Sequence, residues 1–297
     1  MIWLQGAGAV LGAVLAWVAY HPVVRLLAEA RAVKPNYAGR SIPVAGGLAF
    51  VLAALAAETV QLLLLQLTPG GRFALPSLLA CALTLMGFTL LGFLDDLLGS
   101  RETGGFGGHF RLLLREGRLT SGTLKAFGGG MVAAWPGLVI AFAADRLAWQ
   151  RPGLSLGEAA VNLLLIALTA NAVNLLDLRP GRAEKGFLLL WAIAWALRPS
   201  HPVWVWVAPL VGAAAFFALH DLRGEVMMGD TGSNPLGALV GVGVAWSWPL
   251  WPKLGWLVAL MAFHIYTERV SLTATIERVA VLRWLDRLGR PEEGKDG

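Results

Sequence analysis

Residues 75–95 read LPSLLACALTLMGFTLLGFLD, an apolar run whose only charged side chain is the last one, Asp95. A helix of about 20 residues is long enough to cross the hydrocarbon core of a bilayer, because each residue adds about 1.5 Å. Similar runs recur along the 297 residues, of which 57% are hydrophobic and only 14% charged. This composition is too apolar for an ordinary soluble domain and predicts an integral membrane protein.

A hydropathy window of about 19 residues predicts nine membrane spans. They cover residues 2–20, 44–66, 75–95, 126–147, 158–176, 186–198, 202–219, 235–249 and 253–272. We expect the first to be retained rather than cleaved as a signal peptide, since no basic region precedes it and no small-residue cleavage site follows it. The predicted fold class is all-α: one polytopic transmembrane domain, residues 1–297, with about nine transmembrane helices.

The basic residues predict the orientation of the chain. The loops on one side of nine spans, at 21–43, 96–125, 177–185, 220–234 and after about 268, hold 19 of the 24 lysines and arginines. Under the positive-inside rule this places the amino terminus outside and the carboxyl terminus in the cytoplasm of a multi-pass cell-membrane protein. Sixteen of the 19 acidic residues fall on the same side, which indicates a polar working surface there.

Three further features bound the function. The net charge of +5 is explained by loops that face an anionic leaflet, so no nucleic-acid partner is predicted. The single cysteine, Cys81, lies within an apolar run and excludes an internal disulfide. Residues 273–290 mix apolar and arginine positions, which predicts either the end of the last span or an interfacial helix.

Four cytoplasmic motifs carry polar chemistry. The first is Gly92-Phe93-Leu94-Asp95-Asp96, where the third span reaches the cytoplasm. Adjacent carboxylates repel each other unless a cation or solvent relieves them. Asp95 and Asp96 are therefore interpreted either as Mg²⁺ ligands or proton acceptors, or as a solvated helix end.

The second motif is MGDTGSNP at residues 228–235. Asn234 as N-cap and Pro235 at the first helical position are typical of a helix start. Asp230 between two glycines is not explained by capping. It suits a carboxylate that reaches for a metal ion, with backbone amides near a phosphate.

The third motif is NAVNLLDLRPGR at residues 171–182. Asn171, Asn174 and Asp177 are three residues apart and would share one helical face. They are interpreted as site residues or as hydrogen-bonding partners between helices. Arg179 and Arg182 are interpreted as phosphate or headgroup ligands, or as markers of the cytoplasmic side.

The fourth motif leads into the second span and reads KPNYAGRSIPVAGG at residues 34–47. Its glycines allow close helix packing, and Lys34 could bind an anionic substrate. Taken in order, the four motifs resemble the polyprenyl-phosphate N-acetylhexosamine-1-phosphate transferase family. The resemblance runs from about Lys34 to Glu268.

The resemblance implies a Mg²⁺-dependent transfer of a sugar 1-phosphate from a UDP-sugar to a lipid phosphate, with release of UMP. It implies Asp95, Asp96 and Asp230 as catalytic residues and Asp230 with Asp177 as metal ligands. The substrate-binding residues that it implies are Lys34, Asn171, Asn174, Asp177, Arg179 and Arg182. The implied partners are a polyprenyl phosphate, a nucleotide-sugar and the membrane, and the family resemblance also allows a homodimer.

One departure from the family pattern keeps an alternative open. The family's nucleotide-binding stretch reads Asp-Gly-x-Asp-Gly-x-Ala, whereas residues 177–183 read DLRPGRA, so that Pro180 replaces the second aspartate. The alternative is a non-catalytic relative that binds polyprenyl phosphate or nucleotide as a regulatory membrane subunit. A transporter is less favoured, because Glu58 and His264 are the two ionisable residues that approach the middle of a span.

Overall fold

A computed structural model describes residues 1–67, 75–99, 121–143 and 152–290 of the chain. Within these ranges the chain forms nine helices of 16 or more residues, one at each predicted span. They are α1 (Ile2–Glu29), α2 (Gly47–Gln66), α3 (Leu75–Leu98), α4 (Ser121–Ala143), α5 (Pro152–Leu176), α6 (Arg182–Leu197), α7 (Val203–Asp221), α8 (Asp230–Ser247) and α9 (Leu250–Arg269). Most of the predicted loop 96–125, and the end of the predicted span 126–147, lie outside the described residues.

Six of these helices, α1 to α5 and α7, are long and apolar enough to cross a membrane. The protein is therefore an all-α, multi-pass membrane protein. The crossing of α6, α8 and α9, and the orientation of the termini, stay predictions.

Four short elements, two strands and two helices, complete the described secondary structure. Strands β1 (Val33–Pro35) and β2 (Ser41–Pro43) form an antiparallel hairpin within the predicted loop 21–43. The turn between them is closed by the Asn36 side chain, whose Oδ1 accepts hydrogen bonds from the amides of Ala38 and Arg40. After α9, the segment predicted at 273–290 forms two helices, α10 (Leu272–Arg278) and α11 (Ala280–Arg287).

Helix α8 begins earlier than the sequence predicts. Its N-cap is Gly229, so the prediction of Asn234 as N-cap is wrong, and Asn234 lies inside the helix. There its Nδ2 donates a hydrogen bond of 2.9 Å to the carbonyl oxygen of Asp230. The local sequence pointed to Asn234 because the group that caps the true N-terminus comes from another helix.

Helix α8 is the centre of the bundle and is buried along nearly its whole length. It packs chiefly against α5 and α3, with α6, α2 and α7 also in contact. A helix that is buried on all sides has little freedom to shift. The residues at its N-terminus are therefore held in a fixed place at one end of the bundle.

Helices α1 and α7 pack along each other through glycines. A Cβ atom on Gly12 would lie 2.0 Å from the Pro209 carbonyl oxygen, and one on Gly212 would lie 1.8 Å from the Ala9 carbonyl oxygen. Small residues at such contacts let two membrane helices approach closely.

We predict that Gly12→Ala destabilises the protein, because the added methyl group has no room against α7. The expected loss is about 1–3 kcal/mol, the usual cost of overpacking. The matched control is Gly6→Ala in the same helix, where an added Cβ meets no atom within 4 Å. Thermal unfolding of the detergent-purified variants measures the difference. An equal midpoint temperature for both variants would contradict this role of Gly12.

The orientation can be tested with single cysteines at exposed positions. Ser41 in β2 and Ser200 between α6 and α7 are both exposed, and the native Cys81 is fully buried. We expect a membrane-impermeant maleimide added to intact cells to label Ser200→Cys but not Ser41→Cys. Cell lysis should make both positions reactive. The opposite labelling pattern would reverse the predicted orientation.

Candidate active site

The site is built around the N-terminus of α8, which the Asp96 carboxylate caps from the end of α3. Its Oδ1 accepts the Asp230 amide at 3.0 Å, and its Oδ2 accepts the Thr231 amide at 2.9 Å and the Thr231 hydroxyl at 2.6 Å. The carboxylate is buried, and these bonds satisfy two free amides of the helix terminus, where a negative charge is favoured. This contact ties the Asp-Asp motif directly to the Gly-Asp-Thr motif.

Two glycines make this close approach of α3 and α8 feasible. A Cβ atom on Gly92 would lie 2.2 Å from the Asp230 carbonyl oxygen, and one on Gly229 would lie 2.3 Å from the Asp96 Oδ2. Gly229 also has a φ of +70°, which side chains other than glycine rarely adopt. The glycines of both motifs are therefore needed for the geometry of the carboxylates beside them.

The Asp230 side chain is held in a network of cation and amide contacts. The Lys125 ammonium of α4 donates a hydrogen bond to its Oδ2, and the Asn174 amide donates to the same oxygen at 3.2 Å. Lys125 Nζ also lies 3.9 Å from the Asp95 Oδ2, so that one ammonium group faces two carboxylates. Burial alone raises the pKa of Asp230, but Lys125 and the hydrogen bonds to its carboxylate outweigh burial and lower that pKa below its ordinary value.

A polar cavity opens on one side of this network. Its lining includes Lys34 and Tyr37 of the hairpin, Asp177 and Arg179 of the α5–α6 turn, and Asp230. The Arg179 guanidinium lies 4.9 Å from the centre of the Tyr37 ring, a cation–π contact that joins the turn to the hairpin. Burial, and after it the nearby carboxylates, raises the pKa of Asp177 well above its ordinary value.

Asp221, the last residue of α7, links the two segments that form the floor of the cavity. Its Oδ2 accepts the Gly181 amide at 2.5 Å, and the Met228 amide also donates to its carboxylate. The turn after α5 and the segment before α8 are therefore fixed to a common carboxylate. Asp221 itself lines the cavity.

An apolar groove of about 430 Å³ opens on the other side of the network, between α3, α4 and α5. Phe88, Leu91 and Leu168 provide apolar walls, and Gly129 and Gly130 of α4 leave part of the wall open. Asp95, Lys125 and Asn171 also line it, so that the charged network borders both the polar cavity and the groove.

Most of the residues that the sequence predicts come together here. The polar cavity holds Lys34, Asp96, Asp177, Arg179 and Asp230, the groove holds Asp95 and Asn171, and Asn174 contacts Asp230. Arg182 does not belong to this group, because it is buried in an ion pair with Asp286 outside the cavity.

Two residues of the site, Lys125 and Asp221, were not predicted from the sequence. Lys125 was counted among the basic residues of a cytoplasmic loop, although it is the only lysine between Lys34 and Lys185. It lies at the boundary between a loop and an apolar span, and this position could have marked it as a candidate site residue. Asp221 had no signal of its own, since a carboxylate at the cytoplasmic end of a span is common in this chain.

The sequence of the chain is similar to that of known proteins. The sequence pattern of the family described as Glycosyl transferase family 4 matches residues 78–247, more than half of the chain. Two cyanobacterial proteins named phospho-N-acetylmuramoyl-pentapeptide-transferase, from Synechococcus sp. strains JA-2-3B'a(2-13) and JA-3-3Ab, are 33% identical over 204 residues and 32% identical over 226 residues. These alignments cover 66% and 74% of the chain. A protein of the same name from Desulforudis audaxviator is 31% identical over 212 residues, 66% of the chain.

The aligned regions cover only 55% to 59% of the lengths of these three relatives. The matched family region nevertheless contains Asp95, Asp96, Lys125, Asp177 and Asp230, the residues that the structure assembles at the α8 N-terminus. The chain belongs to glycosyl transferase family 4.

Proposed function

We propose that the protein is a phosphoglycosyltransferase that moves a sugar 1-phosphate from a nucleotide-sugar, a UDP-sugar by family resemblance, to a polyprenyl phosphate. The proposed place is the cytoplasmic face of a bacterial cell membrane, in cell-wall or surface-glycan synthesis. The observation that carries this proposal is the position of the Asp230–Lys125 pair between a polar cavity and an apolar groove. A reaction between a soluble nucleotide and a membrane lipid needs a site of this kind.

The two spaces suit the two substrates. The polar cavity offers the cationic side chains of Lys34 and Arg179 to a nucleotide diphosphate. The groove offers aliphatic and aromatic walls to the first isoprene units of a lipid, with Lys125 and Asp95 beside the place where its phosphate would lie. The relatives named above as transferases support this assignment.

The proposed reaction is a displacement at phosphorus. An oxygen of the lipid phosphate attacks the phosphorus that bears the sugar, the bond from that phosphorus to the bridging oxygen breaks, and UMP leaves. Both partners are anions, so charge neutralisation and alignment account for most of the catalysis. Lys125 supplies a positive charge at the junction of the two spaces, and Asp95 can accept a proton from the attacking phosphate.

A divalent cation fits the donor set. No group of three or more His, Cys, Asp or Glu side chains is arranged for a metal ion among the described residues. Mg²⁺ does not require one, because it is usually bound by one or two carboxylates together with water and substrate phosphates. Asp230 and Asp177 line the same cavity and would hold it. When bound, Mg²⁺ would neutralise charge on the diphosphate.

A non-catalytic relative that binds polyprenyl phosphate or nucleotide is the second candidate. The specific observation in its favour is the turn at 177–181, where Pro180 stands in place of an acidic residue and Arg179 is stacked on Tyr37. A protein of this kind would bind its ligand without turnover.

We predict that detergent-purified protein releases UMP from one member of a UDP-sugar panel when Mg²⁺ and undecaprenyl phosphate are present. Asp230→Asn should reduce this rate about 10²–10³-fold, because the charge that holds the cation and Lys125 is lost. Lys125→Met should reduce it about 10²-fold through the loss of charge neutralisation. Omission of Mg²⁺ should abolish the release.

The matched control is Glu268→Gln, which removes an exposed carboxylate at the end of α9 that faces neither the cavity nor the groove. It should keep the rate of the unchanged protein. Binding of polyprenyl phosphate without UMP release from any donor would reject the enzyme and favour the second candidate.

The groove predicts a second test. Gly130→Leu adds a side chain to the wall of the groove, at a position where a Cβ meets no atom within 4 Å. We expect the KM for undecaprenyl phosphate to rise about 10-fold, equivalent to about 1.4 kcal/mol, with the KM for the nucleotide-sugar unchanged. Gly157→Leu, at an exposed position of α5 away from the groove, is the control. Equal lipid KM values for the two variants would place the lipid elsewhere.

A further inference from the structure

The segment Leu272–Arg290, here called the strap, is joined to the start of α6 by an arginine–carboxylate fork. Arg182 Nε donates to the Asp286 Oδ1 at 2.7 Å, and Arg182 Nη2 donates to the Asp286 Oδ2 at 3.1 Å. The third nitrogen of the guanidinium, Nη1, donates to the Thr273 hydroxyl at 3.1 Å. Both α10 and α11 are therefore tied to the residue that follows Gly181.

A second arginine extends this attachment into the turn itself. Arg290 donates from both terminal nitrogens to the Asp286 carboxylate, at 2.9 and 3.1 Å, and its Nε donates to the Pro180 carbonyl oxygen at 2.8 Å. Lys185 Nζ donates to the backbone carbonyl oxygen of Asp286 at 2.9 Å. The strap thus grips residues on both sides of Gly181.

The attachment depends on charge rather than on apolar packing. Helix α11 has no buried residue, and α10 has one, Ile276. In contrast, the side chains of Arg182 and Asp286 are only 6% and 11% exposed. A paired, two-pronged contact of this kind is strong and directional, and removal of one partner would leave a buried charge without a partner.

The turn is also held from the opposite side. The Gly181 amide donates to Asp221, while the Pro180 carbonyl oxygen accepts from Arg290. Between these anchors lie Asp177 and Arg179, which line the polar cavity. Loss of the strap would free one side of the turn and leave the other attached.

We propose that Asp286 is a positioning residue that holds the Asp177–Gly181 turn in place for the nucleotide-sugar, through Arg182 and Arg290. The identity of the ligand rests on the proposed function. The restraint on the turn rests on the hydrogen bonds alone. Pro180 has no acidic side chain, and its contact with the strap is through its carbonyl oxygen, which accepts from Arg290.

The restraint is tested first by hydrogen–deuterium exchange of full-length, detergent-purified protein. Asp286→Asn should speed exchange of the amides of residues 178–185 at least ten-fold. Arg290→Gln removes the contact of Arg290 with Pro180 and Asp286 but keeps the Arg182–Asp286 pair, and it should speed this exchange about three-fold. This variant replaces Asp286→Asn in the test if Asp286→Asn does not fold. The control Glu277→Gln changes an exposed carboxylate of the same strap and should stay within two-fold of the unchanged protein.

The role in positioning is tested by kinetics and by binding of UMP. Asp286→Asn should raise the KM for the nucleotide-sugar and the Kd for UMP about ten-fold, with the KM for undecaprenyl phosphate unchanged and kcat lowered less than three-fold. The double variant Arg182→Gln/Asp286→Asn should add little to the effect of Asp286→Asn, because both changes break the same pair.

The outcomes separate the two proposals. Unchanged exchange at 178–185 in Asp286→Asn overturns the strap, whatever the activity. Faster exchange with an unchanged Kd for UMP also overturns it, because the turn would then be held without effect on the ligand. An unchanged protein that binds UMP but transfers no sugar phosphate overturns the proposed function alone, and the strap is then decided by exchange and UMP binding.

Discussion

The hydrogen bonds from the Asp230 amide and from the Thr231 amide and hydroxyl to the Asp96 carboxylate are the constraint on which the rest of the site depends. They join the end of α3 to the start of α8 and give partners to two amides that a helix terminus leaves without an intrahelical bond. Helix α8 is buried from Thr231 along nearly its whole length, so its N-terminus is held by the helices packed around it. The direction in which the Asp230 side chain points follows from this capped and packed terminus.

The charges of the site are arranged in pairs that compensate one another only in part. Lys125 stabilises the ionised form of Asp230, whereas burial and the surrounding carboxylates disfavour the ionised form of Asp177. A cluster with more carboxylates than cations attracts positive charge.

The features that could be predicted from the sequence are the helices, from long apolar runs, and the site residues that lie in motifs next to those runs. The nine helices lie at the predicted spans, because about 20 apolar residues in succession have few alternatives to a buried or membrane helix. Asp96, Asp177 and Asp230 were all predicted in loops on the cytoplasmic side, and the structure brings them to one cavity. Boundaries were less predictable: α1 continues past Pro22 to Glu29, and α8 starts at Asp230.

Partnerships between distant residues could not be predicted. Asn234 was assigned as an N-cap from local chemistry, while the group that caps α8 comes from residue 96, more than 130 positions away. The family resemblance implied Arg182 as a substrate-binding residue, yet its guanidinium is paired with Asp286. The local sequence around a helix terminus or an arginine does not indicate its partner, because a carboxylate from a distant helix can bind there as well as a carboxylate nearby in sequence.

The long separation of these partners has a consequence for the biogenesis of the protein. Asp96 and Asp230 can make contact only after the start of α8 has been synthesised. Arg182 can pair with Asp286 only later, because Asp286 lies 104 residues further along the chain. Until then the turn at 177–181 is held by Asp221 of α7 and by the contact of Arg179 with Tyr37 of the hairpin. The polar cavity therefore reaches its final shape late in translation, after most of the helices have already entered the membrane.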